Sequence, residues 1–104
     1  MIFRRQRFSD VIARQLDLFA EDEADLIAEC RDKERAYDRT DREDAEAAYG
    51  DYVDVVETAT EALADMRDRF ARTLAEDAAE EYEAAFNRAV QKRWRPFGLE
   101  IENR

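Results

Sequence analysis

General acid–base catalysis relies on a side chain that titrates near neutrality, and this 104-residue chain has no histidine to supply one. The single cysteine, Cys30, is the obvious nucleophile. It has no imidazole to activate it, so the expectation is a small core residue. Acid pairs one helical turn apart, at Glu57/Glu61, Glu76/Glu80 and Glu80/Glu83, offer the oxygen ligands that Mg²⁺ or Ca²⁺ prefers. In a chain with 27 acids these pairs are expected to be solvated faces. A helical di-iron site normally draws on Glu-x-x-His, which this sequence cannot form. No catalytic residue, no metal ligand and no cofactor is expected, and the chain is read as not an enzyme.

Two basic clusters interleaved with rings are the other groups with chemistry to offer. One holds Arg4, Arg5 and Arg7 between Phe3 and Phe8; the other holds Arg88, Lys92, Arg93 and Arg95 beside Trp94 and Phe97. Such clusters grip phosphate while their rings stack on bases, or lie on anionic lipid. Between them, residues 9–87 carry 25 acids against 9 bases, a field that repels nucleic acid and anionic membrane alike. Nucleic acid and membrane are therefore the alternative partners, not the first choice. In an antiparallel bundle the clusters are expected at opposite ends.

The sharpest local signal is Gln15-Leu16-Asp17-Leu18-Phe19. It resembles the pentapeptide with which bacterial polymerases, repair proteins and clamp loaders bind the DNA sliding clamp: glutamine, leucine, serine or aspartate, leucine, phenylalanine. The resemblance implies that Leu16, Leu18 and Phe19 enter an apolar pocket on the clamp, that Gln15 caps a polar subsite, and that Asp17 fills the serine-or-aspartate position. Such docking needs an exposed, adaptable peptide. Leu16 and Phe19 also belong to a helical apolar stripe, whereas Leu18 points about 100° away from Phe19. Two other resemblances fail on their residues. The Glu-Glu-x-x-Glu motif of helical nucleotide pyrophosphatases meets Ala84 after Glu80-Glu81, and the Trp-x-Gly turn of type VII secretion substrates is missing around Gly50.

The elements that position these groups follow from periodicity. Phe8, Ile12, Leu16, Phe19, Leu26, Ile27, Cys30 and Tyr37 recur at helical steps and predict an amphipathic helix over 9–37, with Ser9 capping and Asp10 in its first turn. Thr40 and Glu43 match a capping box after a polar turn. Tyr49, Tyr52, Val56, Ala59, Leu63, Met66 and Phe70 then form the seam of a second helix over 41–73, with Gly50 as its weak point. Leu74, Ala78, Tyr82, Phe86, Val90 and Trp94 step by four, and a turn near 74–77 separates a third helix over 77–95. Pro96 ends it, leaving a short tail at 98–104.

The expected fold is all-α, a single domain over 1–104 built as an antiparallel three-helix bundle, with a long helical hairpin as the alternative. Leu, Ile, Val and Phe make up 21 residues and alanine 18, so the core is thin. A thin core favours self-association or a helical partner. No apolar run reaches membrane-span length, no signal-peptide core follows the basic start, and the lone cysteine suits a reducing compartment; the protein is expected in the cytoplasm. An acidic surface with 2 lysines against 15 arginines resembles that of halophile proteins and is equally what a GC-rich genome produces. The functional expectation is a small acidic protein-interaction module, with docking on the sliding clamp implied by Gln15 to Phe19.

Overall fold

The computed structural model describes residues 7–104. These residues form α1 (Ser9–Asp22), α2 (Ala24–Arg39), α3 (Ala45–Ala71), α4 (Glu76–Arg93) and α5 (Arg95–Ile101), with no strand among them. The all-α class agrees with the sequence. The count does not: there are five helices rather than the three of the expected bundle.

The longest helix, α3, spans 27 residues, about 40 Å at 1.5 Å per residue. Its first half pairs antiparallel with α2, Val55 lying opposite Cys30 and Tyr49 opposite Tyr37. Its second half pairs antiparallel with α4, where Phe70 meets Tyr82 and Arg67 meets Asn87. The remaining helices fill in around these pairs, α5 packing on both α3 and α4 and α1 on α4. The buried residues form one cluster in which Leu63, Tyr82, Phe86, Val90 and Ile101 are sealed from solvent. Each such large side chain contributes about 1.5–3 kcal/mol of transfer free energy.

The first expected helix is broken at Glu23, whose backbone (φ −112°, ψ 31°) leaves the helical region. The apolar stripe of α1 faces α4 and that of α2 faces α3, and a straight rod cannot serve both. The break falls where no large apolar residue holds the chain, between Phe19 and Leu26. Glu21, Asp22, Glu23 and Asp25 crowd like charges there, which weakens the helix further.

The expected tail is largely α5. Pro96 starts a helix as well as ending one, because its missing N–H is not needed in a first turn. Trp94 (φ −136°, ψ 88°) makes the corner, and Phe97 and Ile101 are buried on the far side of it. Gly98 is what lets α5 lie against α4: a Cβ there would come within 2.5 Å of the Gln91 backbone.

Smaller differences concern helix starts. The capping box does not form; Thr40 closes α2, Asp41 accepts the Asp44 N–H at 3.1 Å, and α3 begins at Ala45 instead of 41. At α1 the N-cap position is Phe8, not Ser9, and no side chain caps it. Gly50 does not interrupt α3, and nothing lies near enough to object to a side chain there. The molecule is elongated, 55 × 29 × 23 Å with a radius of gyration of 15.9 Å, against about 13 Å for a compact chain of this length.

Candidate functional site

Three of the five residues of the Gln15 to Phe19 segment meet α4 or its C-cap Trp94, and a fourth, Leu16, is buried. Leu16 and Phe19 are each 2% exposed, and the Phe19 ring meets Trp94 edge-on at 5.6 Å. Gln15 Oε1 accepts the hydroxyl proton of fully buried Tyr82 at 2.8 Å, and Asp17 pairs with Arg93 at 2.7 Å. Leu18, 52% exposed, points to solvent. The segment is helical throughout, so use of it as an extended clamp ligand requires α1 to unwind from α4.

Among the described residues the basic groups are spread along the α1–α4 pair. Because α1 is only 14 residues long and runs parallel to α4, its whole length lies beside the stretch from Glu81 to Trp94. Arg88 and Lys92 thus lie between those two residues, lining one groove with Ser9, Ile12 and Ala13 of α1. Arg7 pairs with Glu81 at 3.7 Å and lies over Phe8; Arg93 lies over Trp94; Arg95 is exposed. Arg4 and Arg5 lie outside the described residues.

Between α1 and α4 runs an open groove of about 590 Å³. Ile12, Ala13, Ala85 and Ala89 give it an apolar floor, and Ser9, Arg88, Gln91 and Lys92 stand around it. Arg88 and Lys92 are exposed and have no acid within ion-pair distance among the described residues. Small residues at 13, 85 and 89 keep the floor shallow, the condition under which another helix approaches closely. Sequence reasoning missed this site. Its signal was present on α4, where alanines at 85 and 89 and bases at 88 and 92 each repeat after one turn.

The potential nucleophile is buried. Cys30 is buried, donates its thiol proton toward the Val55 carbonyl at 3.6 Å, and is pushed up to about 11 by burial first and by Glu29 second. Burial likewise raises Tyr82 to about 12, against an opposing contribution of its hydrogen bond with Gln15. Native protein should therefore react slowly with thiol reagents at pH 8, and fast native labelling would place Cys30 at the surface. The same shifts fix the alkaline limb of stability. An unfolded thiol ionises near 9.0 and the folded one near 11, so its contribution is full below pH 9 and disappears as pH climbs to 11. Tyr82 adds the same sign of effect above its ordinary value of 10.0. The melting midpoint should hold up to about pH 9 and fall above it; a midpoint flat to pH 11 would contradict the burial of both groups.

Among the described residues no group of three or more acids and cysteine is placed to hold a metal ion, and no helix is long and apolar enough to cross a membrane. No protein-family model matches the chain, and neither a curated protein nor a solved structure is significantly similar to it.

Proposed function

We propose that the protein is a non-enzymatic interaction module of the cytoplasm that seats an acidic amphipathic helix of a partner protein in the α1–α4 groove. One observation carries this reading: an apolar floor flanked by Arg88 and Lys92, two exposed cations with no acid within ion-pair distance among the described residues of a chain of net charge -10. A helix laying an apolar ridge along Ile12, Ala13, Ala85 and Ala89 would set its acids against both, gaining orientation from charge and affinity from burial. The lack of histidine and the suppressed ionisation of Cys30 support a binding role over a catalytic one. Sliding-clamp docking through Gln15, Leu16, Asp17, Leu18 and Phe19 belongs to the same class of function, at the added cost of unwinding α1.

The second reading, contact with nucleic acid or an anionic membrane through the basic clusters, draws support from the exposure of Arg88 and Lys92 on the α1–α4 groove. The acidic field of the rest of the chain opposes it, so such binding should be weak and vanish by physiological salt.

A photo-crosslinking side chain at Ala89, compared with one at exposed Asp65 on α3, tests the groove in cells of the host. The expected result is an adduct with a discrete protein from position 89 only, lost in the Arg88→Glu/Lys92→Glu variant. Equal adducts from both positions, or none from 89, would remove the groove as the docking site. DNA or vesicle binding that survives physiological salt would promote the second reading in its place.

A further inference from the structure

Trp94, the one tryptophan of the chain, ends α4 where that helix meets α2 and α5. Two adjoining clefts open there, of about 200 and 370 Å³, and Ile27, Arg31, Arg93 and Trp94 line both. Arg95 joins them in the smaller. Three guanidiniums, brought by α2, α4 and α5, therefore converge on one recess of a chain whose net charge is -10. Like charges held together repel unless an anion lies among them. Among the described residues Glu34 is the one acid of the lining, and it stands beyond ion-pair distance of all three arginines. Asp17 holds Arg93 at 2.7 Å, but Arg31 and Arg95 are exposed and make no hydrogen bond or ion pair among the described residues.

Counting acceptors says what fits. An arginine fork pairs bidentately with a single carboxylate or phosphate. A carboxylate, with two oxygens and one charge, is saturated by one such fork. Two unused forks beside a third that Asp17 and the Trp94 face orient, its guanidinium 4.8 Å from the ring centre, call for more oxygens and more charge, which a diphosphate group offers. A nucleic-acid strand fits less well, because Trp94 is 9% exposed with Arg93 over its ring and gives bases no platform for stacking. The net charge of the chain opposes every anion alike, so selection rests with the forks.

We propose that the Trp94 cleft binds the diphosphate group of a small molecule, with Arg31 and Arg95 as its bidentate donors and Arg93 as the third cation. The site shares no lining residue with the α1–α4 groove and is independent of what docks there.

Titration of the full chain with inorganic pyrophosphate and with ADP, followed by calorimetry and by Trp94 emission, tests it. The expected result is saturable binding of pyrophosphate that sodium chloride at matched ionic strength does not reproduce. Arg31→Gln and Arg95→Gln should each weaken it by about tenfold, a loss of about 1.4 kcal/mol, while Arg88→Gln/Lys92→Gln leaves it unchanged. Both arginines are exposed, so circular dichroism and the emission of the free variants should match those of the parent, which separates lost binding from lost folding. ADP bound more tightly than pyrophosphate supports the site with a nucleoside in the larger cleft; equal affinities support it with the diphosphate as the whole of what is recognised. Neither heat nor an emission change overturns the proposal, as does binding indifferent to both arginine variants. Citrate bound as tightly as pyrophosphate overturns it too, because the cleft then answers to charge and not to phosphate.

Discussion

Phe19→Ala is expected to destabilise the protein by about 3–5 kcal/mol, and Leu16→Ala by about 2–5 kcal/mol. Both side chains of α1 are 2% exposed, and Phe19 closes against Trp94. Truncation loses their transfer free energy and leaves a cavity that two helices joined by one stripe fill only in part. Gln15→Ala behaves differently from what the helical pattern alone suggests. Its amide oxygen accepts the hydroxyl of a tyrosine with no solvent access, and without it that hydroxyl is left unpaired at about 1–3 kcal/mol. Leu18→Ala, at a side chain 52% exposed, should change stability by less than about 0.5 kcal/mol. Chemical denaturation of the four variants checks the order Phe19 and Leu16, then Gln15, then Leu18. Titration of the host's sliding clamp with the intact protein and with a free 11–22 peptide gives the functional counterpart. Binding of the peptide alone means that the motif is competent but locked in α1. Binding of both, lost in Leu18→Ala, means that α1 opens readily. Binding of neither removes the clamp as a partner.

Arg67→Met is expected to cost about 2–4 kcal/mol, a large loss for a residue that nothing in composition singles out. Its guanidinium, 3% exposed, donates from Nε to Asp68 (2.8 Å), from Nη1 to Asn87 (2.9 Å) and the Ile101 carbonyl (3.1 Å), and from Nη2 to the Arg104 carbonyl (2.7 Å). One side chain of α3 thereby fixes α4 and the end of α5. Methionine keeps the stem and removes the donors. The Ile101 carbonyl and the Asn87 amide oxygen are then left without the hydrogen bonds that made their burial tolerable, so matching the volume does not offset the loss. Lysine, a point donor that cannot reach four acceptors from one plane, should recover only part of it. Hydrogen exchange is the discriminating measurement: amides of α5 should lose protection in Arg67→Met before those of α2 and the first half of α3. Unchanged α5 protection would mean that Phe97 and Ile101 hold the helix by packing alone.

The seam of α3 was legible in the sequence because Tyr52, Val56, Ala59, Leu63, Met66 and Phe70 alternate steps of three and four, and a buried stripe at that spacing has no other solution. The turn into α4 was legible too, since the shift to steps of four marks a change of face. The break at Glu23 was not. Phe19 and Leu26 are seven apart, so the stripe reads straight through a joint whose cause is that two different helices wait on the two sides of it. The helix α5 was hidden by its length, because seven residues are too few to show a period and Pro96 reads first as a terminator. Arg67 carried a signal that charge obscured: it follows Leu63 by four, a core position occupied by a base. The α1–α4 groove was the least legible feature. It depends on which helices become neighbours and in which direction, and a pattern within one helix does not encode that.

The joint at Glu23 also bears on the order in which the chain assembles. Cys30 and Val55 are 25 residues apart, whereas Gln15 and Tyr82 are 67 apart. Loop-closure entropy alone makes the second meeting costlier by about 0.9 kcal/mol, and it brings nothing until α4 has been built for α1 to lie on. The α2–α3 and α3–α4 hairpins are local enough to form the nucleus, and α1 is a latecomer that latches an existing core. In the kinetics of Phe19→Ala, the lost stability should accordingly appear as faster unfolding with the folding rate almost unchanged. A helix that arrives last is also the one that leaves first, which makes α1, the carrier of the groove wall and of Gln15 to Phe19, the least committed part of the native state.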